Sequence, residues 1–313
     1  MTLKIAYLGA QSGYESLVET LGGAADAVHV EANPDALSQA LETADGLLDA
    51  SMAVPISDAM IDAAPNLKII SCATTGSDHI ARESANARGI AIHTLREDAD
   101  LLANLTPAAE LSWALLMAVA RNLPAAVAHT RAGNWQREDF PGTMINGRTL
   151  GLVGVGRIGG WMARYAQAFG MSVVGYDPYQ DTLPDGVERV TLAEMFGQCD
   201  FVSVHVHLSD ETRGLISREL LEAAKIGLVL INTSRGAIVD EAALVHGLAS
   251  GRISGAGLDV LDGEPDTANH PLVLYSQTHD NLLITPHCGG FSPDAVRLVC
   301  ARAGQKIMEK LGL

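Results

Sequence analysis

The chain is poor in cysteine, in aromatic residues and in positive charge. Its four cysteines, Cys72, Cys199, Cys288 and Cys300, lie far apart and form no CxxC pair. That spacing argues against a zinc site and fits reduced thiols in a cytosol, so we expect no metal. Only 21 basic residues stand against 37 acidic ones, a formal net charge of -16. Nucleic acid and anionic membranes are therefore not expected as partners, because phosphate binding needs a basic surface.

Membrane-spanning apolar runs and a secretory leader are also not expected. The start of the chain, Met1 to Tyr7, is typical of a first strand rather than of a signal peptide. These observations predict a cytoplasmic protein. The 313 residues are 48% hydrophobic but only 4% aromatic, which indicates an aliphatic globular chain long enough for two domains.

A glycine-rich run in the middle of the chain is its most informative segment. Gly154-Val155-Gly156-Arg157-Ile158-Gly159 matches GxGxxG and follows a strand-like stretch at 149–153. Glycines at these spacings allow a tight turn, admit a pyrophosphate against the backbone and let the next helix pack on its strand. The pattern alone is weak evidence, because 31 of the 313 residues are glycine.

An acidic residue downstream strengthens the case for a dinucleotide. A second strand-like run, Met171 to Tyr176, ends in Asp177, eighteen residues beyond Gly159. A carboxylate there accepts both adenosine ribose hydroxyls and repels a 2'-phosphate, which favours NAD over NADP. The alternative is a strand-end aspartate that caps a turn, helped by Pro178.

Strand-like and helical stretches alternate along the whole chain, which predicts an α/β fold with a doubly wound parallel sheet in each half. The first turn, Gly9 to Gly13, lacks the glycine fingerprint, so the cofactor is assigned to the second half. Between the halves, Thr106 to Arg121 is predicted to be a helix with Thr106 as its N-cap and Pro107 at its first position. It is apolar around most of its circumference, which fits burial against a second subunit or inside one chain.

Three polar residues follow different strands of the second half. Arg235 comes after Ile231 to Ser234, Glu264 precedes Pro265, and His287 lies in the run Thr285 to Gly290. The carboxyl ends of parallel strands meet at one edge of a sheet, where α/β proteins bind ligands. Arginine suits a carboxylate there. The alternatives are a surface salt bridge for Arg235 and a structural role for His287.

At these residues the sequence resembles the D-isomer-specific 2-hydroxyacid dehydrogenases, a family that includes D-lactate, glyoxylate/hydroxypyruvate and 3-phosphoglycerate dehydrogenases. The match extends from about Leu67 to Gly290. It implies a flavodoxin-like substrate domain, residues 1–101 and 286–313, around an inserted Rossmann NAD-binding domain, residues 102–285. It also implies a homodimer through the helix Thr106 to Arg121.

The resemblance implies roles for individual residues. Arg235 would bind the C1 carboxylate of a small anionic 2-hydroxyacid or 2-ketoacid, His287 would exchange a proton with the C2 oxygen, and Glu264 would orient the imidazole. Substrate contacts are further expected at Thr75, Gly76 and Met52. Cofactor contacts are expected at Gly154, Gly156, Arg157, Ile158, Gly159, Asp177, His205, Thr212, Thr233, Asp259, Thr106 and Gly289.

The chain also departs from the family pattern. His207 stands where the family often has proline, and the segment Leu95 to Ala103 is longer than the common link. Glu264 counts against the formate dehydrogenase branch, which carries glutamine in that role. We expect no regulatory extension after Leu313, which would make the long, allosterically controlled phosphoglycerate dehydrogenases a poor architectural match.

Two functions are expected from these observations. The first is an NAD-dependent dehydrogenase acting on a substrate such as glyoxylate or hydroxypyruvate. The alternative is an NAD(H)-sensing, corepressor-like dimeric binding protein with little turnover.

Overall fold

The computed structural model describes residues 2–313, so Met1 of the predicted first strand and first domain lies outside the described residues. The chain divides into two compact units: residues 2–105 with Gly290–Leu313, and Thr106–Gly289. The sequence predicts divisions after residues 101 and 285. Residues 286–289, expected in the first domain, group with the second unit because Asp259 binds the backbone N–H groups of Cys288 and Gly289.

The first unit is built on a five-stranded parallel sheet in the order β2-β1-β3-β4-β5. This order is that of the flavodoxin-like doubly wound fold, and the predicted sheet is confirmed. Its strands are β1 (Leu3–Leu8), β2 (Ala25–Val30), β3 (Gly46–Asp49), β4 (Ile69–Cys72) and β5 (Ala91–His93), and its helices before the second unit are α1 (Gln11–Leu21), α2 (Pro34–Leu41), α3 (Asp58–Asp62), α4 (Arg82–Ala87) and α5 (Ala99–Ala103).

Local sequence explains where these elements begin. Asn33 caps α2 by accepting a hydrogen bond from the N–H of Ala36, and Pro34 occupies the first turn, where it costs no helical hydrogen bond. Ser57 caps α3 in the same way through Met60. All residues of β3 and β4 are buried, as expected for central strands covered on both faces.

The second unit holds a seven-stranded parallel sheet in the order β12-β11-β10-β9-β6-β7-β8. Counted from β6, its strands follow the Rossmann order, and the order reverses between β6 and β9, where ligands bind in such sheets. The strands are β6 (Thr149–Val153), β7 (Ser172–Tyr176), β8 (Val187–Arg189), β9 (Phe201–Val204), β10 (Leu228–Asn232), β11 (Ile253–Leu258) and β12 (Leu282–Ile284). The helices are α6 (Pro107–Ala120), α7 (Leu123–Arg131), α8 (Arg157–Ala168), α9 (Leu192–Gln198), α10 (Arg218–Ala223), α11 (Glu241–Ser250) and α12 (Pro271–Ser276).

The helix α6 packs on β10, β11 and α8 through one face, which buries Leu115 and Leu116. Pro107 occupies its first turn as predicted, but Thr106 does not cap it with its side chain. The Thr106 hydroxyl instead donates a hydrogen bond to Glu110 at 2.6 Å. Thr106 is thus the N-cap residue as predicted, but its hydroxyl bonds to a side chain instead of to the helix backbone.

The segment Ala99–Ala120 is, by length and composition alone, apolar enough to cross a membrane, with a mean hydropathy of 1.3 over its best stretch. This differs from the expectation that no run reaches that length. A core helix passes the same test, and the segment is divided here into α5 and α6, the second of which packs on a sheet.

A final helix, α13 (Pro293–Leu311), belongs to the first unit. It packs along α1 and against β3 and β4. Gly304 permits the close approach, since a side chain there would press on Leu17 and Thr20 of α1. A buried hydroxyl also bonds to the helix, because Ser71 donates to the carbonyl of Ala303 at 3.0 Å.

Candidate active site

Each glycine of the fingerprint has a physical role in the structure. Gly154 has a φ of +88°, and a β-carbon there would lie 2.6 Å from the carbonyl oxygen of His205. A β-carbon on Gly159 would overlap with the carbonyl oxygen of Gly154, so this glycine lets α8 approach the loop. Gly156 faces open space, which leaves room against the backbone.

The N-terminus of α8 is open to an anion. The helix begins at Arg157, and Gly156 before it offers no side-chain cap. The first N–H groups of a helix lack partners within the helix, so those of Arg157 and Ile158 suit a phosphate. Burial lowers the pKa of the Arg157 guanidinium.

Asp177 lies at the end of β7 beside the glycine loop, and its carboxylate accepts two backbone hydrogen bonds. One carboxylate oxygen accepts the N–H of Val155 at 2.9 Å and the other accepts that of Tyr179 at 3.0 Å. Asp177 therefore caps a turn, as the alternative interpretation predicts. Each oxygen keeps acceptor capacity for a ribose hydroxyl, since a carboxylate has about four lone-pair sites. The loop, the open helix end and this carboxylate together fit a dinucleotide.

The structure brings Arg235, Glu264 and His287 together in the second unit. Gly236 makes this possible: a side chain there would overlap with the backbone of Leu261 and Asp262, so the loop after β10 lies directly on the loop after β11. Glu264 follows on that second loop, close enough for the charge of Arg235 to act on its carboxyl group. The Nδ1 atom of His287 lies 2.5 Å from Oε1 of Glu264.

The electrostatics keep Glu264 ionised. Burial alone would raise its pKa, but the hydrogen bond and charge of His287, the N–H of Leu261 and the charge of Arg235 outweigh burial and hold the pKa below its usual value. The side chains of His287 and Glu264 remain 40% and 30% exposed, so reactants can reach the pair. The imidazole is thus oriented through Nδ1, and Nε2 is left to exchange a proton.

Asp259, predicted as a cofactor contact, fixes the turn that carries His287. It is 1% exposed, and its oxygens accept hydrogen bonds from the Thr285 hydroxyl at 2.6 Å, from Cys288 N–H at 2.9 Å and from Gly289 N–H at 2.7 Å. A β-carbon on Gly289 would lie 2.9 Å from the same carboxylate. This clamp holds His287 at a φ of +51°, a conformation that few residues other than glycine adopt.

Two further residues that the sequence did not single out hold the loop of Glu264. Glu241 accepts the N–H of Asp262 at 3.0 Å with one oxygen, and its other oxygen lies 2.9 Å from Nε2 of His270. Burial raises the pKa of Glu241. Its position as the first residue of α11 is an ordinary place for an acid, so the sequence carried no signal for this role.

The remaining predicted cofactor residues have mostly local partners. His205 is partly buried, burial of its ring lowers its pKa to about 3, and its Nε2 lies 2.8 Å from the Ser203 hydroxyl. The Thr233 hydroxyl lies 2.7 Å from that of Ser112 on α6. Thr212 closes a turn by donating to the carbonyl of His207 at 2.6 Å.

The predicted substrate residues of the first unit follow neighbouring strands. Met52 comes after β3, with a φ of +54°, and its N–H donates to the buried carboxylate of Asp49 at 3.2 Å. Thr75 and Gly76 come after β4, where the carbonyl of Gly76 accepts the Thr74 hydroxyl at 2.8 Å. In residues 2–313 no group of three or more histidine, cysteine or acidic side chains could hold a metal.

Comparison with known proteins identifies relatives of this chain. The chain is 39% identical to a D-3-phosphoglycerate dehydrogenase from Mycobacterium bovis over 282 residues, 89% of this chain and 51% of that protein, so it spans about half the length of this relative. It is 37% identical to a hydroxypyruvate reductase from Thermotoga maritima over 254 residues, 81% of each chain. The crystal structure of the TT0316 protein from Thermus thermophilus superposes with a TM-score of 0.87 at 34% identity, covering 99% of this chain and 97% of that one.

Family models match both parts of the chain. Residues 12–149 match the catalytic domain of the D-isomer specific 2-hydroxyacid dehydrogenases, and residues 113–289 match their NAD binding domain. With two doubly wound units and a dinucleotide loop in the second, the chain belongs to the D-isomer specific 2-hydroxyacid dehydrogenase family.

Proposed function

We propose that the protein is an NAD-dependent oxidoreductase that interconverts a small D-2-hydroxyacid and its 2-ketoacid. The observation that carries this proposal is the contact of 2.5 Å between His287 and an ionised Glu264, beside Arg235 and in the unit that holds the dinucleotide loop. A cation for the carboxylate and an oriented proton donor are the groups that reduction of a ketoacid requires.

The cofactor would be held by residues of the second unit. Backbone N–H groups of Arg157 and Ile158 would bind the pyrophosphate, and Asp177 would accept the ribose hydroxyls. Thr233, His205, Thr212, Thr106 and Gly289 are proposed to complete its surroundings. When bound, NADH supplies a hydride to C2 of the ketoacid.

The chain's own residues would supply the rest of the chemistry. Arg235 would bind the C1 carboxylate with its planar fork and polarise the C2 oxygen. Nε2 of His287 would donate a proton to that oxygen during reduction and remove it during oxidation. Glu264 would stabilise the imidazolium and fix the ring, and Asp259 would position the turn. Thr75, Gly76 and Met52 are proposed to contact the substrate, with glyoxylate or hydroxypyruvate as the leading candidates.

The test is to follow NADH absorbance with a panel of 2-ketoacids. We expect turnover of at least one small ketoacid, and we expect NADPH to be a poorer cofactor because Asp177 would repel its 2'-phosphate. His287→Ala should slow single-turnover reduction by at least about 100-fold while NADH affinity changes little. Cofactor binding without turnover of any ketoacid would contradict this function and favour the corepressor-like alternative.

We further propose a homodimer through Thr106 to Arg121, a cytoplasmic location, and no nucleic-acid or membrane partner. The dimer is supported by an apolar groove of about 500 Å³ in the second unit, lined in part by Leu111, Ala114, Leu115 and Ala118 of α6. The net charge of -16 supports the absence of polyanionic partners.

A further inference from the structure

The loop after β7 in the second unit carries an acid and also binds a cation. It begins at Asp177, the proposed ribose acceptor, and continues through Asp181. The cation is Arg189, the last residue of β8, which is the edge strand of the sheet and pairs in parallel with β7 through Gly175. Because parallel neighbours end at the same edge of a sheet, the guanidinium of Arg189 reaches the loop that Asp177 begins.

Three backbone carbonyls of this loop bind the guanidinium. Nη1 of Arg189 donates to the carbonyl of Asp177 at 2.6 Å, and Nη2 donates to those of Gln180 at 2.5 Å and Asp181 at 3.4 Å. An arginine carries five N–H donors, so these contacts within residues 2–313 leave one donor on Nη1 and one on Nε. Arg189 is exposed, so a solute reaches these donors from solution.

The carboxylate of Asp177 is fixed separately from its carbonyl. The residue is 8% exposed, and its two side-chain oxygens accept the N–H groups of Val155 in the glycine loop and of Tyr179. In Rossmann sites an acid at this position accepts the ribose hydroxyls of NAD, whereas an arginine nearby accommodates the 2'-phosphate of NADP. This loop holds both kinds of group, with Arg189 bonded to the acid's own carbonyl.

We propose that Arg189 is a binding residue for a 2'-phosphate on the adenosine ribose, and that the charge of Asp177 keeps such a phosphate out. The proposal rests on the proposed function, because it concerns the cofactor of that reaction. Cofactor preference is then a balance between two opposite charges on one loop. The nearby acids Asp181, Glu188 and Glu211 are exposed, so water and salt screen their charges more than that of Asp177.

Fluorescence titration with NADH and with NADPH tests the proposal without turnover. We expect wild type to bind NADH at least about tenfold more tightly than NADPH. Asp177→Asn keeps the size of the side chain and removes its charge, so it should raise NADPH affinity about tenfold or more and lower NADH affinity. Adding Arg189→Gln to Asp177→Asn should remove that gain. The ratio of the two affinities is the readout, because a merely loosened loop would change both affinities alike.

Two matched controls and a second charge-removing variant accompany this titration. Asp181→Asn removes an exposed charge from the same loop, and Arg218→Gln removes an arginine of α10 that lies near Glu222 and Asp240. Neither should change the ratio of NADH to NADPH affinity by more than about twofold. Asp177→Ser repeats the removal of the charge with a smaller side chain and decides the question if the asparagine variant does not fold.

Calorimetric titration with 5'-AMP and with adenosine 2',5'-bisphosphate isolates the contribution of the 2'-phosphate. The ratio of these two affinities should change across the variants in the same order. If no ketoacid is reduced while both ratios respond as expected, the proposed function fails and the phosphate site stands. Equal NADPH affinities of Asp177→Asn with and without Arg189→Gln would overturn the role of Arg189. A charge-removing variant that keeps the wild-type ratio would overturn the role of Asp177.

Discussion

At the scale of single residues, the site depends on groups that hold other groups in place. His287 has a left-handed backbone because Asp259 binds the turn on both sides of it. Glu264 faces the imidazole because Glu241 and His270 hold its loop. Arg235, Glu264 and His287 were singled out from their places after strands. The supporting contacts join residues about 20 to 30 positions apart, and no spacing rule of the sequence reports them.

Replacing Glu264 with glutamine should move the pH dependence of ketoacid reduction to lower pH. In the proposed reduction His287 donates a proton, and the negative charge of Glu264, whose pKa lies below its usual value, stabilises an imidazolium beside it. Glutamine keeps the size and the hydrogen-bonding ability of the side chain but not the charge. The profile of kcat/KM against pH measures the effect, and an unchanged profile would rule out an effect of the Glu264 charge on His287. Glu138→Gln is a suitable control, because Glu138 pairs only with its exposed neighbour Arg137 among the ion pairs of residues 2–313.

Gly159→Ala should weaken cofactor binding and destabilise the second unit by about 1–3 kcal/mol, because the new methyl group overlaps with the carbonyl oxygen of Gly154. Gly160→Ala is a closely matched control: it lies one residue further along α8 and faces open space, so alanine should stabilise the helix by up to about 1 kcal/mol. NADH fluorescence titration and urea unfolding would measure both. Equal behaviour of the two variants would contradict the packing role of Gly159.

At the scale of elements, strands were predicted better than their ends. The alternation of apolar and helical stretches predicted the two sheets, but β7 begins at Ser172 rather than Met171, and β8 was not predicted. The three residues of β8, Val187–Arg189, carry too short an apolar pattern to be recognised, and they form a strand because β7 offers an edge to pair with. Thr106 is the N-cap residue of α6 as predicted, but its side chain makes no capping hydrogen bond, since the competing bond to Glu110 depends on the side-chain geometry of α6.

The ion pairs of Asp98, the residue before α5, with Arg302 and Lys306 of α13 give a prediction about stability and pH. Burial alone would raise the pKa of Asp98, but the hydrogen bonds and charges of Arg302 and Lys306 outweigh it and hold that pKa below its usual value. Its stabilising effect is therefore complete above the unfolded-state pKa of about 4 and is lost as the pH falls through the lower folded-state value. Asp98→Asn should cost about 3 kcal/mol at pH 7, since it leaves Lys306 buried without its charge partner.

Urea unfolding of wild type and Asp98→Asn from pH 7 to pH 3 would measure this difference, which should shrink below about pH 4. Glu309→Gln removes an exposed partner of the same Arg302 and should cost less than about 1 kcal/mol at any pH. A difference that stays constant across the range would show that Asp98 acts through packing rather than charge.

At the scale of the whole molecule, the apolar groove on α6 predicts how two copies associate. Ala114 is an exposed residue of this groove, and glutamate there would place a charge in the proposed interface. We expect sedimentation velocity to show a wild-type dimer and an Ala114→Glu protein that is mainly monomeric. Ala249→Glu, at an exposed position of α11 in the same unit, should leave the dimer intact. A wild-type monomer would contradict the dimer, and a dimeric Ala114→Glu protein would place its interface elsewhere.

The return of α13 to the first unit has a consequence for how the protein is made. Cys300, Ala303 and Ile307 complete a core that begins with Ile5, Tyr7 and Leu17 near the start of the chain. The ribosome releases α13 only after it has synthesised all of the second unit, whose residues Thr106–Gly289 are continuous. The second unit can thus fold during translation, while the first exposes its unfinished core for the time needed to make about two hundred residues. The unit that emerges first is the last to be finished, and its apolar strands are where a nascent-chain chaperone would bind.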